Sequence, residues 1–199
     1  MISAELIPRD ADIRPALRSR LQHRYRSNPD TVLLEELGFC RGQVRIDLAV
    51  VNGSLNGYEI KSDRDSLRRL SSQADFYGKV LDRATLVVGD RHLTGAMDLI
   101  PDWWGVLSIE ARPKGPRFKT LRRGRKNPQR DPRALAELLW LGDALELLEQ
   151  RNAARGVRRK PRHLVWDRVC EHFTLDEIAD YVRDRLKARA AHRSAPPPS

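Results

Sequence analysis

The chain has 199 residues, of which 40% are hydrophobic and 32% charged, and its formal net charge is +10. This length is enough for one packed domain with an appendage or for two small domains. A transmembrane protein is excluded because no apolar run approaches the roughly 18–20 residues of a span, and the first residues lack the layout of a secretory signal. Two cysteines, Cys40 and Cys170, cannot supply a disulfide framework or a cysteine zinc site, so we expect a soluble, cytoplasmic protein.

The first predicted element is a helix from Asp10 or Asp12, either of which can cap it, to about residue 27, because apolar residues recur on one face every four positions. Three short strand-like runs follow. Arg41-Gly42 and the turn residues of 52–57 separate these runs, a spacing typical of a meander of hairpins. The runs cover residues 31–39, 44–51 and 57–61.

A second helix is predicted over residues 63–81, and a strand that is apolar on both faces over residues 84–88. The order helix, three strands, helix, strand indicates an α/β fold. Its central sheet is mixed, because the last strand follows a helical crossover. A short helix and one more strand at 105–109 complete a predicted core domain over residues 1–110.

The net positive charge comes entirely from the second part of the chain. Residues 1–110 contain 15 Lys and Arg against 16 Asp and Glu, whereas residues 111–199 contain 22 against 11. Such an excess of positive charge is typical of proteins that bind a polyanion, so we predict a nucleic-acid partner, with DNA favoured, and no membrane partner. The alternative is that the charge serves only to keep the protein soluble. From composition we predict a basic linker or arm over 111–132, a small basic helical extension over 133–192 and a disordered tail over 193–199.

Helices within the extension are predicted at 133–150, about 163–171 and 174–189. A helix-turn-helix reader made by the last two is a less favoured hypothesis, because their turn lacks glycine. Long cations on Pro- and Gly-rich backbone suit phosphate contacts whose affinity falls with salt, although a solvated linker has the same composition. The predicted nucleic-acid-binding residues are Arg117, Lys119, Arg122, Arg123, Arg125, Lys126, Arg158, Arg159 and Lys160.

Charged side chains interrupt the second and third strand-like runs. Alternate residues of a strand share a face, so Asp47, Glu59 and Lys61 converge on one patch if these strands pair as a hairpin. Two close carboxylates repel each other unless a cation lies between them, and hard oxygen ligands suit Mg²⁺. A lysine on the same face can stabilise charge that builds on a phosphate. An ordinary cross-strand ion pair is the alternative interpretation.

The pattern of Asp47 in an apolar strand, a hairpin, and Glu59-Ile60-Lys61 in the next strand resembles the PD-(D/E)xK nuclease superfamily. The common core of that superfamily has the element order predicted above. Gln73 and Tyr77 in the following helix match the Gln-x-x-x-Tyr pattern of its RecB-like branch, where both side chains lie beside the active site. The longer string from Glu36-Leu-Gly to Pro101-Asp-Trp-Trp-Gly is similar to a family of short bacterial and phage proteins that are predicted nucleases.

This resemblance implies a restriction-endonuclease-like core and a role for each matching residue. Asp47, Glu59 and the backbone carbonyl of Ile60 become metal ligands, and Lys61 becomes the catalytic lysine. Gln73 and Tyr77 become the flanking pair. The implied cofactor is Mg²⁺, for which Mn²⁺ can substitute, and the implied reaction is phosphodiester hydrolysis.

The chain departs from the superfamily pattern at two points. Ile46 stands where the superfamily name has proline, and the first helix offers no Glu to supply an additional acid. Glu36, rather than its neighbour Glu35, is the expected substitute because its spacing before Asp47 suits a hairpin. We therefore predict a Mg²⁺-dependent nuclease. The alternative is a nucleic-acid-binding module or subunit that cuts nothing, and the oligomeric state is left open, a homodimer included.

Overall fold

The computed structural model describes residues 8–39 and 42–194, and its six strands form one mixed sheet in the order β1-β2-β3-β4-β5-β6. The strands are β1 (Val32–Phe39), β2 (Val44–Val51), β3 (Leu55–Lys61), β4 (Arg83–Gly89), β5 (Gly105–Glu110) and β6 (Arg117–Arg122). The helices are α1 (Asp10–Tyr25), α2 (Leu70–Val80), α3 (Leu93–Met97), α4 (Pro132–Ala136), α5 (Leu141–Glu149), α6 (Arg162–His172) and α7 (Leu175–Ser194), with a 3₁₀ turn at Asp90–His92 before α3.

Strand direction changes across the sheet. The first three strands are antiparallel neighbours, β3, β4 and β5 are parallel, and β6 returns antiparallel to β5. Parallel neighbours need a crossover, which α2 provides between β3 and β4. The predicted α/β class with a mixed sheet is therefore confirmed.

Both faces of the sheet are covered. On one face, Ile13, Leu17 and Leu21 of α1 pack in a cluster with alternate strand residues such as Leu48 and Tyr58. On the other face, α2 and the C-terminal helices pack in a second cluster. Because β3 lies in the middle and is buried at every position, its charged residues are held in a low-dielectric setting.

The C-terminal helices belong to the same core as the first domain. Trp166 of α6 and Ile178 of α7 lie in one hydrophobic cluster with Tyr77 and Trp104. Buried Asp82, just before β4, also pairs with Arg130 at 2.7 Å and with Arg183 of α7 at 3.2 Å. The boundary predicted at residue 110 therefore does not separate two cores.

The predicted linker over 111–132 is wrong in its middle part, where the chain forms β6. Phe118 is buried in the α1-side cluster, and this single apolar anchor is what composition alone overlooks. The backbone amides of Arg125, Asn127 and Asp131 then donate to core carbonyls at 2.8 Å in each case. The basic segment is thus fixed along the sheet and α2 rather than extended from the domain.

Two predicted helices have different bounds. Residues 63–69 form turns before α2, because the Asp65 carboxylate accepts hydrogen bonds from the amide and hydroxyl of Ser62. The helix predicted over 133–150 divides into α4 and α5, where Asp143 accepts from the amide of Trp140 and starts a new helix. The disordered tail predicted over 193–199 is wrong for residues 193 and 194, which belong to α7, and residues 195–199 lie outside the described residues. Over the part of the chain that is described, no helix combines the length and apolar character needed to cross a membrane.

Candidate functional site

The candidate site begins where the pairing of β2 with β3 ends. The paired residues run from Val51 and Leu55 to Leu48 and Tyr58, so Asp47 and Glu59 are the next residues on each strand. At this point Oδ2 of Asp47 accepts a hydrogen bond of 2.7 Å from the backbone amide of Ile60. The side chain of Asp47 thus replaces a backbone acceptor at the end of the strand pairing, and this hydrogen bond fixes its orientation.

Glu59 is the centre of a buried hydrogen-bond network. Its side chain is 3% exposed and that of Lys61 is 9% exposed, and Nζ of Lys61 lies 2.6 Å from Oε1 of Glu59. From α2, Nε2 of Gln73 donates to the same oxygen at 2.7 Å, and the hydroxyl of Tyr77 lies 2.8 Å from Oε2. A buried carboxylate requires such donors, so the network holds Glu59 in one position.

Gln73 and Tyr77 share one face of α2 because they are four residues apart. The Tyr77 hydroxyl also lies 2.6 Å from the carbonyl oxygen of Arg45, and its one proton can go to either acceptor. Burial, followed by the charge of Glu59, raises the pKa of Tyr77, so it acts as a neutral donor. The carbonyl oxygen Oε1 of Gln73 is buried and accepts no hydrogen bond from the described residues. An acceptor is therefore left open at this site.

Arg14 of α1 closes the other side of the site. Its guanidinium lies 2.8 Å from Oδ1 of Asp47, pairs with Glu36, and contacts Asp10 at 3.1 Å. Asp10 was expected only as a candidate helix cap, and neither Asp10 nor Arg14 was predicted as a site residue. Their i, i+4 spacing on one helix face was the available signal, but it did not indicate which strand they would meet.

The structure distinguishes Glu36 from Glu35. Glu36 pairs with Arg14 at the site, whereas Glu35 pairs with Arg18 at 2.8 Å outside it. Glu36 also has φ of +52°, a left-handed conformation that non-glycine residues seldom adopt. It lies between two residues paired with β2, across from Asp47. Its backbone is therefore bent at the point where its side chain turns to the site.

These residues line one cleft of about 620 Å³, which we call the carboxylate cleft. Among its walls are Glu36, Asp47, Glu59, Ile60 and Lys61, and Gln73 lies at its α2 side. Tyr77 is fully buried behind them. Burial, followed by the charge of Glu59, raises the pKa of Asp47 to about 7, although the Ile60 amide and Arg14 oppose this shift. A further cation in the cleft would therefore stabilise the ionised carboxylates.

The oxygen atoms of the carboxylate cleft are candidate ligands for a divalent metal ion. In the described ranges, no group of three or more His, Cys, Asp or Glu side chains is arranged to hold one. Among the described residues, five acidic side chains line the cleft, those of Asp10, Glu36, Asp47, Glu59 and Asp65, and Asp47 and Glu59 are the two that adjoin the backbone of Ile60. Mg²⁺ typically takes one or two carboxylates and keeps several waters, so this set fits it. The contact at Ile60 is through its amide, and carbonyl ligation remains a prediction.

The predicted nucleic-acid-binding residues do not converge on this cleft. Arg158 pairs with Glu149 at 2.6 Å, and Arg159 and Lys160 are exposed before α6. Of the whole set, Arg122 and Arg123 line a second cleft, described below. The remaining residues are distributed over exposed positions of β6 and the segment that follows it: Arg117, Lys119, Arg125 and Lys126.

Comparisons with known proteins give two matches. A family model described as bacteriophage P4 protein cII matches residues 7–195. Protein cII of Enterobacteria phage P4 is 31% identical over 96 residues, which are 48% of this chain and 36% of that protein. The matched part thus spans about a third of the relative's length. No solved structure matches the chain.

Proposed function

The chain belongs to the bacteriophage P4 protein cII family, and we propose that this member is a metal-dependent nuclease that hydrolyses phosphodiester bonds, with DNA as the favoured substrate. The observation that carries the proposal is the arrangement in the carboxylate cleft, where Asp47 is held by the Ile60 amide and Glu59 is held by Lys61 and Gln73. The family description states no chemistry, so the proposal depends on this geometry and on the PD-(D/E)xK pattern of the same residues.

The topology supports the finer assignment of a restriction-endonuclease-like core. A helix, an antiparallel three-stranded meander, a helix and a parallel fourth strand follow in this order. Asp47 lies on the second strand and Glu59 and Lys61 on the third, where the superfamily pattern requires them. Strand β5, strand β6 and the C-terminal helices are additions to that core.

Asp47 and Glu59, with the backbone of Ile60, are the proposed ligands of Mg²⁺. When bound, such an ion supplies a water of lowered pKa and neutralises charge on the scissile phosphate. The ionised form of Asp47 is disfavoured by burial and by Glu59, so the carboxylates gain from a cation at this position.

The side chains of the cleft have separate tasks in this proposal. Glu59 orients the ammonium of Lys61 at 2.6 Å, and this ammonium stabilises the negative charge that develops on the phosphate. Gln73 donates to the same oxygen of Glu59 at 2.7 Å and so keeps this carboxylate in position. Tyr77 fixes the second oxygen of Glu59 from behind the cleft.

The test is cleavage of plasmid and linear DNA by the purified full chain with Mg²⁺ or Mn²⁺. Asp47→Asn and Lys61→Ala are each expected to reduce the rate by at least about a hundredfold, as loss of a group that stabilises the transition state does. Circular dichroism at the assay temperature verifies that each variant is folded. Arg18→Ala, which removes the neighbouring ion pair to Glu35, is the control and should retain activity. Cleavage that survives Asp47→Asn or Lys61→Ala contradicts this site.

A non-catalytic nucleic-acid-binding module is the second candidate function. The observation in its favour is that cationic side chains already neutralise the two carboxylates, Arg14 at Asp47 and Lys61 at Glu59. If these ion pairs persist, the cleft offers no metal site. Salt-sensitive binding to DNA without metal-dependent turnover on plasmid, duplex or single-stranded substrates would favour this module over the enzyme.

A further inference from the structure

A second cleft of about 430 Å³ lies where β3, β4 and β5 begin, whereas the carboxylate cleft lies where β3 ends. Helix α1 contributes to both clefts, with Arg14 in the carboxylate cleft and Arg24 in the second cleft. Their Cα atoms are about 15 Å apart along the helix axis, from the rise of an α-helix over ten residues. Arginines from three separate parts of the chain line the second cleft, which we call the basic cleft. They are Arg20, Arg24, Arg83, Arg122 and Arg123.

The arginines of the basic cleft are positioned mainly by neutral acceptors. Arg20 donates to the carbonyl of Phe118 at 2.9 Å, Arg83 to that of Gly124 at 2.8 Å, and Arg122 to that of Trp104 at 2.8 Å. A carbonyl oxygen fixes a guanidinium without cancelling its charge, so these cations remain available to an anion.

Acidic groups are nearly absent from its surroundings. Among the residues that the structure describes, no Asp or Glu lines the basic cleft. The nearest partner is Asp102, which is 3.7 Å from Arg122 and whose side chain is 91% exposed. In the same described part, Arg24 and Arg123 form no ion pair, and Arg24 stacks 5.5 Å from the centre of the Tyr25 ring. Four of the five arginines therefore have no acidic partner among the described residues.

The floor of the cleft is apolar and aromatic. Tyr58 and Leu107 are buried there, and Tyr25 and Thr85 are partly buried. Volumes of this size are common for ligand sites, in which a few polar groups surround an apolar floor. Aromatic rings beside cations are also characteristic of surfaces that hold single-stranded nucleic acid.

We infer that the basic cleft binds successive phosphate groups of a polynucleotide strand. Five guanidinium groups exceed the charge of one phosphate, which carries at most about two negative charges. Several phosphates held on one backbone satisfy them together. The predicted contribution of Arg122 and Arg123 is thereby placed in a defined site, and Arg20, Arg24 and Arg83 are added to it.

This inference does not depend on the proposed nuclease activity. Binding is measured with the full chain in EDTA, where metal-dependent cleavage cannot occur, so each can fail without the other. The probe is a short fluorescent single-stranded oligonucleotide, and anisotropy is recorded over a range of salt concentrations.

The decisive variant is Arg24→Gln combined with Arg123→Gln, because both side chains are exposed and outside ion pairs within the described residues. We expect about a tenfold loss of affinity. The slope of the logarithm of the binding constant against the logarithm of the salt concentration should become less steep by about 1.4, because each single-strand phosphate contact contributes about 0.7. The control is Arg112→Gln with Arg168→Gln, which removes the same charge from arginines that already pair with Glu110 and Glu171. It should change affinity less than twofold.

Two results would overturn the inference. Equal losses in both double variants would show that net charge alone binds the strand. Displacement of the oligonucleotide by inorganic phosphate at the same concentration as by a competing oligonucleotide would show a site for one anion and exclude a strand. Retained affinity in the control, with weak competition by phosphate, supports it.

Discussion

The two clefts of this chain treat charge in opposite ways. In the carboxylate cleft the carboxylates near the end of β3 are neutralised by ion pairs, as Glu59 is by Lys61 and Asp47 and Glu36 are by Arg14. In the basic cleft three of the five arginines, Arg20, Arg83 and Arg122, are held by backbone carbonyls, with no acidic side chain among the described lining residues. Ion pairs keep buried charges stable until a ligand replaces one partner, whereas neutral acceptors leave surface charges ready for a ligand. The comparison predicts which substitutions affect folding and which affect binding.

The largest expected effect tests the buried pairing. Lys61→Met leaves the carboxyl group of Glu59, whose side chain is 3% exposed, without its cationic partner. Removing one partner of a buried ion pair is expected to lower the free energy of unfolding by about 3 kcal/mol. Urea denaturation measures it, and Arg158→Met, which breaks the exposed pair with Glu149, should lower it by less than about 1 kcal/mol. Equal effects at the two sites would contradict the comparison.

The second effect is a pH dependence of stability in EDTA. The folded pKa of Asp47, about 7, lies above its unfolded value near 4, so the stability contributed by its protonated form is complete below pH 4 and is lost as the pH rises through 7. The unfolding free energy of the native chain should fall by about 2 kcal/mol relative to Asp47→Asn between pH 5 and pH 8. Parallel pH profiles for the two proteins would exclude this raised pKa.

The third effect concerns competition between Arg14 and a metal ion. Arg14→Ala removes the cation 2.8 Å from Oδ1 of Asp47, so Mn²⁺ should bind about fivefold more tightly, a change of about 1 kcal/mol. Isothermal titration calorimetry measures the affinity. Arg18→Ala, one turn further along α1 and paired with Glu35, should leave it unchanged. Unchanged affinity in Arg14→Ala would mean that the arginine does not obstruct the metal.

The smallest effect lies in the basic cleft. Arg83→Gln removes an exposed cation held by the Gly124 carbonyl, and the unfolding free energy should change by less than about 0.5 kcal/mol. Oligonucleotide affinity in EDTA should still fall about threefold, as expected for one lost phosphate contact. A large loss of stability would show that this arginine is structural, which would remove the difference between the clefts.

The sequence was informative where the signal is local. The alternation of β2 and β3 was sufficient to predict that Asp47, Glu59 and Lys61 approach one another, and the helical spacing of Gln73 and Tyr77 put both on one face. The first five strand runs were recovered because their hydrophobic period is regular. The contacts add that Glu36 pairs with Arg14 in the carboxylate cleft and that Glu35 pairs with Arg18, and the role of Glu36 as an additional metal ligand stays a prediction.

The rest depends on contacts between distant segments. Arg14 meets Asp47 across 33 positions of the chain, and no period in α1 indicates that partner. The basic cleft joins the end of α1, the start of β4 and the end of β6, so its arginines become neighbours only after folding. Strand β6 was overlooked because Phe118 is its one buried residue and its other apolar residue, Leu121, is exposed, so the run shows no buried face.

The position of β6 at the margin of the sheet has a consequence for self-association. An edge strand has unpaired backbone amides and carbonyls with which a strand of another chain can pair, and lysines and arginines on the edge strand oppose such pairing. Arg117 and Lys119 project from β6 into solvent, while the opposite margin, β1, is packed by α7. Like charges would face each other if two copies met along β6. The cations of this strand thus disfavour edge-to-edge aggregation of the sheet, independently of any contact with a nucleic acid.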